Sequence, residues 1–121
     1  MNNPPYILGT ANLGKQYGIN NKLDYNFQNS EIIFRHAISN GIKMVDTSPD
    51  YGKAHDLIAM NQSRISDIKV TSKIPARVAI KPNEVLKSLK KTLKELQISN
   101  LDTILFHNPD SYLSSEFEVT V

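Results

Sequence analysis

Asp46 and Tyr51 stand near the two ends of the stretch Asp46-Thr47-Ser48-Pro49-Asp50-Tyr51-Gly52, which begins where a short apolar run gives out. Two more titratable residues close apolar runs further on. Lys73 ends the run that starts at Ile68, and His107 follows Leu101 to Phe106. An acid, a phenol, an amine and an imidazole together can hold, orient and move a proton, whereas an isolated phenol is a reluctant acid at neutral pH. Each also has a plainer reading. An aspartate before Thr-Ser-Pro caps a turn, a tyrosine packs half-buried, a lysine before Ile74-Pro75 marks a strand end in solvent, and a histidine before Asn108-Pro109 caps a turn. The recurrence of these groups at the ends of successive apolar runs favours the chemical reading.

The elements that must position them alternate along the chain. Tyr6-Ile7-Leu8 predicts a first strand ended by Gly9-Thr10, and the stretch from Asn12 to Phe27 shows no periodicity and predicts a loop. Asn29 or Ser30 is placed to cap a helix whose buried stripe would be Ile33, Phe34, Ala37 and Ile38, and which should stop at Asn40-Gly41. Ile42 to Asp46 follows as a second strand, Lys53 to about Gln62 as a weaker helix, and Ile68 to Lys73 as a third strand that Pro75 halts. Lys81-Pro82-Asn83-Glu84 opens the strongest helix, with Val85, Leu89, Leu93 and Leu96 as its stripe. Its lysines, Lys87, Lys90, Lys91 and Lys94, have no aromatics between them and read as a solvated face, not a phosphate-binding one. Leu101 to Phe106 is the fourth strand. Apolar strands alternating with helices imply a parallel sheet, and right-handed crossovers put every strand's carboxyl end on one side. With strands ~4.8 Å apart, Asp46, Lys73 and His107 can then meet within roughly 10 Å.

Composition narrows the partners. With 121 residues the chain is one domain's worth, and 40% hydrophobic with 21% charged residues is ordinary for a globular protein. A net charge of +2 gives no argument for nucleic acid. The absence of cysteine rules out disulfide and thiolate chemistry and fits a cytoplasmic protein. Met1 to Pro5 carry no secretory signal pattern, and no apolar run approaches the ~20 residues that span a bilayer. His36 and His55 fall inside helices without partners at ligand spacing and read as surface or packing residues, so no metal site is expected.

Asp46-Thr47-Ser48, Tyr51-Gly52, the strand end Thr71-Ser72-Lys73 and His107-Asn108-Pro109-Asp110 together resemble the aldo-keto reductase family. Leu8-Gly9-Thr10-Ala11-Asn12-Leu13-Gly14 and Tyr17-Gly18 are similar to that family's first strand and loop, in particular to its bacterial sugar-biosynthesis-type members. The resemblance implies an α/β fold, the N-terminal half of a (β/α)8 TIM barrel with about four parallel strands. It implies NADPH, or NADH, as cofactor and a small-molecule aldehyde or ketone as substrate. Tyr51 would protonate the developing alkoxide, Lys73 would make that phenol a better acid, Asp46 would keep Lys73 charged and in place, and His107 would orient the carbonyl. Gly9, Thr10 and Asp46 would lie at the nicotinamide end of the cofactor.

One departure is local. Where the family usually has a glutamate after Tyr-Gly, this chain has Lys53-Ala54-His55-Asp56. Another is length, since such a barrel takes about 250 residues and commonly builds its phosphate site from loops after strands seven and eight. Residues 1–110 are expected to form the partial barrel and 111–121 a tail outside the pattern. Activity and firm NADPH binding are then expected to need the missing half, and the open sheet edges invite self-association. Two other readings stay open. One is an inactive half-barrel serving as an interaction or assembly module, and the other is a small flavodoxin-like domain, which leaves the four spaced residues unexplained.

Overall fold

A computed structural model describes residues 6–15, 26–78, 81–108 and 110 of the chain. Among the described residues the elements follow in the order β1 (Leu8–Gly9), α1 (Ala11–Gly14), α2 (Phe27–Ser39), β2 (Met44–Asp46), α3 (Ala54–Met60), α4 (Gln62–Ile65), β3 (Lys69–Ile74), α5 (Pro82–Leu96) and β4 (Thr103–Phe106). The strands form one parallel sheet in the order β1-β2-β3-β4, so successive strands are neighbours and each crossover carries helix. This is the half-barrel arrangement expected from the resemblance. The expected tail, 111–121, and most of the expected loop before Phe27 lie outside the described residues.

Register sorts the side chains onto two faces. Val45 pairs with Val70, and both belong to the buried core with Phe34, Leu57, Ile58 and Leu96, which lies under the helices. One residue on, Asp46 pairs with Thr71 and with Gly9, and Lys73 pairs with Leu105, so these point to the opposite, uncovered face. The period-two alternation therefore puts Val45 and Val70 under the helices. It brings the carboxylate and the ammonium out on the concave side.

Several boundaries differ from expectation. Asn26, not Asn29 or Ser30, caps α2, with its side-chain oxygen accepting the Asn29 N–H at 3.0 Å. Ser30 is fully buried instead, bonded to the Phe27 carbonyl and to the Asn61 amide. Within α2's stripe Phe34 is buried, whereas Ile38 lies exposed at the helix end. The segment predicted as one helix from Lys53 divides into α3 and α4 at buried Asn61, whose amide also bonds back to the Leu57 carbonyl. Ala11–Gly14 is a short helix where a loop was expected. In α5 Leu96 and Thr92 are buried, with Val85, Leu89 and Leu93 half-buried. It ends at Gln97, whose positive φ of 55° lets the Ile98 N–H reach the Leu93 carbonyl at 3.1 Å.

Candidate active site

The carboxyl ends of β2, β3 and β4 carry the site. Lys73 Nζ donates to both oxygens of Asp46, at 2.7 and 2.8 Å, and to the Thr47 carbonyl at 3.0 Å. Those three acceptors account for the three hydrogens of the ammonium. Lys73 therefore gives no hydrogen bond to the phenol of Tyr51, and it sits 5.0 Å from that ring's centroid. The amine reaches the phenol ring as a nearby charge. His107 meets Tyr51 edge-on, with ring centroids 6.0 Å apart and planes at 75°. The tetrad expected from sequence is thus gathered at one rim.

The loop holding Tyr51 is fastened at both ends. Tyr51 N–H bonds to the Ser48 carbonyl, and the Lys53 N–H reaches across to the Gly14 carbonyl at 3.0 Å. Gly14 and Gly52 make that approach possible. A Cβ on Gly14 would fall 1.4 Å from the Tyr51 carbonyl oxygen, and Gly52, at φ 55°, faces the Gly14 carbonyl. The short helix α1 is consequently the buttress of the Tyr51 loop. Lys15, at its end, donates to the Asp50 carbonyl at 3.1 Å and lies 5.7 Å from the Tyr51 ring centroid.

Residues proposed for the cofactor separate into two kinds. Gly9 is exposed beside Asp46 on the concave face, with no atom within 4 Å of where a Cβ would stand. That leaves open space for a flat ring. Thr10 is fully buried, and both its N–H and its hydroxyl donate to the Asp46 carbonyl, at 3.0 and 2.9 Å. It steadies the backbone that carries the carboxylate.

Sequence reasoning missed three members of the rim. Ser48, Asp50 and Arg77 surround His107 and the Tyr51 loop. Ser48 Oγ lies 3.1 Å from His107 Nδ1, Asp50 Oδ2 lies 3.8 Å from it, and Arg77 is bonded to the other oxygen of Asp50. A serine, an aspartate and an arginine in turn segments carry no periodic signal, so only the fold brings them together. His36 is exposed, but His55 is buried and bonded through Nδ1 to Glu95 Oε2 at 2.9 Å, which ties α3 to α5. A cavity of about 420 Å³ opens between Pro49, Pro75, Arg77 and the Glu84–Glu95 side of α5.

Four parallel strands in sequential order with helical crossovers describe the first half of a barrel, and the comparisons agree. The aldo/keto reductase family model matches residues 5–119, and the chain belongs to that family. Among solved structures it is similar to an aldo-keto reductase of Pseudomonas aeruginosa, at 20% identity and TM-score 0.75 over 96% of this chain and 48% of that one. It is also similar to a deep-sea metagenome aldo-keto reductase (23% identity, TM-score 0.62, 92% of this chain and 37% of that one). A third is the aldose reductase of Giardia lamblia (21% identity, TM-score 0.59, 88% and 34%). The chain spans about half the length, or less, of these structures. No curated protein matches it.

Proposed function

We propose that these residues form the acid-base half of an NAD(P)H-dependent carbonyl reductase. The observation that carries this is the Asp46–Lys73 pair, closed by two bonds at 2.7 and 2.8 Å, with its ammonium 5.0 Å from the Tyr51 ring. When bound, the cofactor would supply a hydride to the carbonyl carbon. Tyr51 donates its proton to the carbonyl oxygen, giving an alcohol and a phenolate that is re-protonated from water. Lys73 favours that phenolate by its charge, Asp46 and the Thr47 carbonyl hold the ammonium still, and His107 orients the carbonyl oxygen. Gly9 and Asp46 border the space for the nicotinamide, and Thr10 acts behind Asp46.

The substrate is a small aldehyde or ketone, the cofactor NADPH or NADH, and the compartment the cytoplasm. Loops after later strands commonly supply the phosphate site of such barrels, so the 121-residue chain alone is expected to bind NADPH weakly. Among the described residues no helix is long and apolar enough to cross a membrane.

The test joins this chain to the C-terminal half of an aldo-keto reductase and follows NADPH oxidation with a panel of aldehydes. Turnover that drops about 10²–10⁴-fold in Tyr51→Phe supports the assignment. Persistent inactivity of a folded chimera would favour the second reading, an assembly module. That reading draws on the exposed apolar residues at both sheet edges, Tyr6 and Ile7 before β1 and Ile104 and Leu105 in β4.

A further inference from the structure

The surroundings of His107 contain a hydrogen-bond order that nothing in the tetrad requires. Ser48 is 1% exposed, and its hydroxyl has two partners. The Asp50 N–H donates to Ser48 Oγ at 3.2 Å, and His107 Nδ1 lies 3.1 Å away. A hydroxyl carries one hydrogen. If Nδ1 carried a proton, Ser48 Oγ would accept twice and its own hydrogen would be left without an acceptor among the described residues. If Nδ1 is bare, the Asp50 N–H feeds Ser48 and Ser48 feeds Nδ1, so every group is used.

We propose that Ser48 is a positioning residue that fixes neutral His107 with its proton on Nε2, the nitrogen not engaged by Ser48. Asp50 pulls the other way, because a carboxylate favours a proton on the nitrogen facing it. Its Oδ2 is 3.8 Å from Nδ1, outside hydrogen-bond range, and its charge is shared with Arg77. Ser48 therefore prevails while present, and Asp50 takes over when it is removed. The consequence for function rests on His107 orienting a carbonyl in the proposed reduction, since only an N–H can donate to that oxygen.

Ring-nitrogen NMR on the ¹⁵N-labelled 121-residue chain tests this without any activity, at a pH well above the ordinary histidine value near ~6.5. His107→Gln identifies the His107 signals among the three histidines. The expected result is a proton on Nε2 in the wild type, and about a tenfold shift of the tautomer ratio towards Nδ1–H in Ser48→Ala, with Ser48→Thr restoring the wild-type ratio. The wild type offers a readout that needs no folded variant: a slowly exchanging Ser48 hydroxyl proton correlated with Nδ1. A wild-type proton on Nδ1, a rapidly exchanging hydroxyl, or an unchanged ratio in folded Ser48→Ala would overturn the proposal. None of these bears on the Tyr51→Phe experiment, so either conclusion can fail alone.

Discussion

Removing one member of the Asp46–Lys73 pair should cost more than removing the other, because the two are not equally wet. The Lys73 side chain is 14% exposed and that of Asp46 31%. At 2.7 Å and an effective dielectric of ~20 the raw attraction is about 6 kcal/mol, most of which desolvation and solvent screening offset. Measured costs run from roughly 0.2–1 kcal/mol for exposed pairs to 3–5 kcal/mol when a partner of a buried pair is removed. Asp46→Asn strands the drier ammonium against a neutral amide and the Thr47 carbonyl, and we expect it to destabilise by about 2 kcal/mol. Lys73→Met leaves a carboxylate that water can reach and should cost about 1 kcal/mol. With both charges gone the double variant should lose less than the sum, a coupling of about 1 kcal/mol. Urea unfolding followed by circular dichroism measures all four proteins, provided the m-value holds constant. Single costs that simply add would show that the pair contributes nothing beyond two separate side chains, and a larger cost for Lys73→Met would refute the ordering by exposure.

Other perturbations probe the parts around it. Gly14→Ala puts a methyl inside the Tyr51 carbonyl, so it should destabilise by about 3 kcal/mol or more and broaden the Tyr51 resonances; a neutral effect on the unfolding midpoint would contradict the buttress role of α1. At the opposite end of the sheet, hydrogen bonds from Lys69 and then Thr103 hold the Asp102 carboxyl below its ordinary 3.8, so it binds fewer protons folded than unfolded. Its contribution is therefore present above pH 3.8 and fades as pH falls through the lowered value, and a ¹³C carboxyl titration of Asp102 that returned the ordinary value would contradict the contact. The sheet edges predict concentration-dependent self-association of the 121-residue chain, weakened by Ile104→Lys; light scattering that finds a monomer at every soluble concentration would exclude it.

The frame of this fold was legible because each strand ends where an apolar run meets a turn, and because parallel neighbours share one end. Asp46, Lys73 and His107 could be placed on one rim from that rule alone. What escaped were features whose cause lies far away in sequence. Ser30 has the chemistry of a helix cap, yet Asn61 takes its hydroxyl into the core, and the cap falls to Asn26. Gln97 ends α5 in a conformation more usual for glycine, held there because Ile98 packs on the core. His55 finds Glu95 40 positions away, and Ser48 finds His107 59 positions away. The resemblance implied that Thr10 lies at the nicotinamide end of the cofactor. Only the register, which places Asp46 beside Gly9, turns its hydroxyl inward.

Among the described residues, direct polar bonds hold Lys73, Asp46 and His107 in place. Lys73 is held from β2 and the turn after it, Asp46 by Lys73 and through its own backbone by Thr10, and His107 from the turn that also carries Tyr51. The apolar core behind them draws on all five described helices, through Leu13, Phe34, Leu57, Ile58, Ile65 and Leu96. The rim is therefore pre-organised by the same residues that present it, which is what a proton donor needs to keep its geometry through a reaction. A dinucleotide's phosphates need donors converging from another direction, and in barrels of this kind those come from loops after later strands. On the proposed reading the acid-base groups and the anchorage of the cofactor's phosphates are separable. Substitutions at Ser48 or Lys73 in a joined barrel should lower kcat with little change in the cofactor's Kd; a Kd that moved in step with kcat would show the two to be one structural unit.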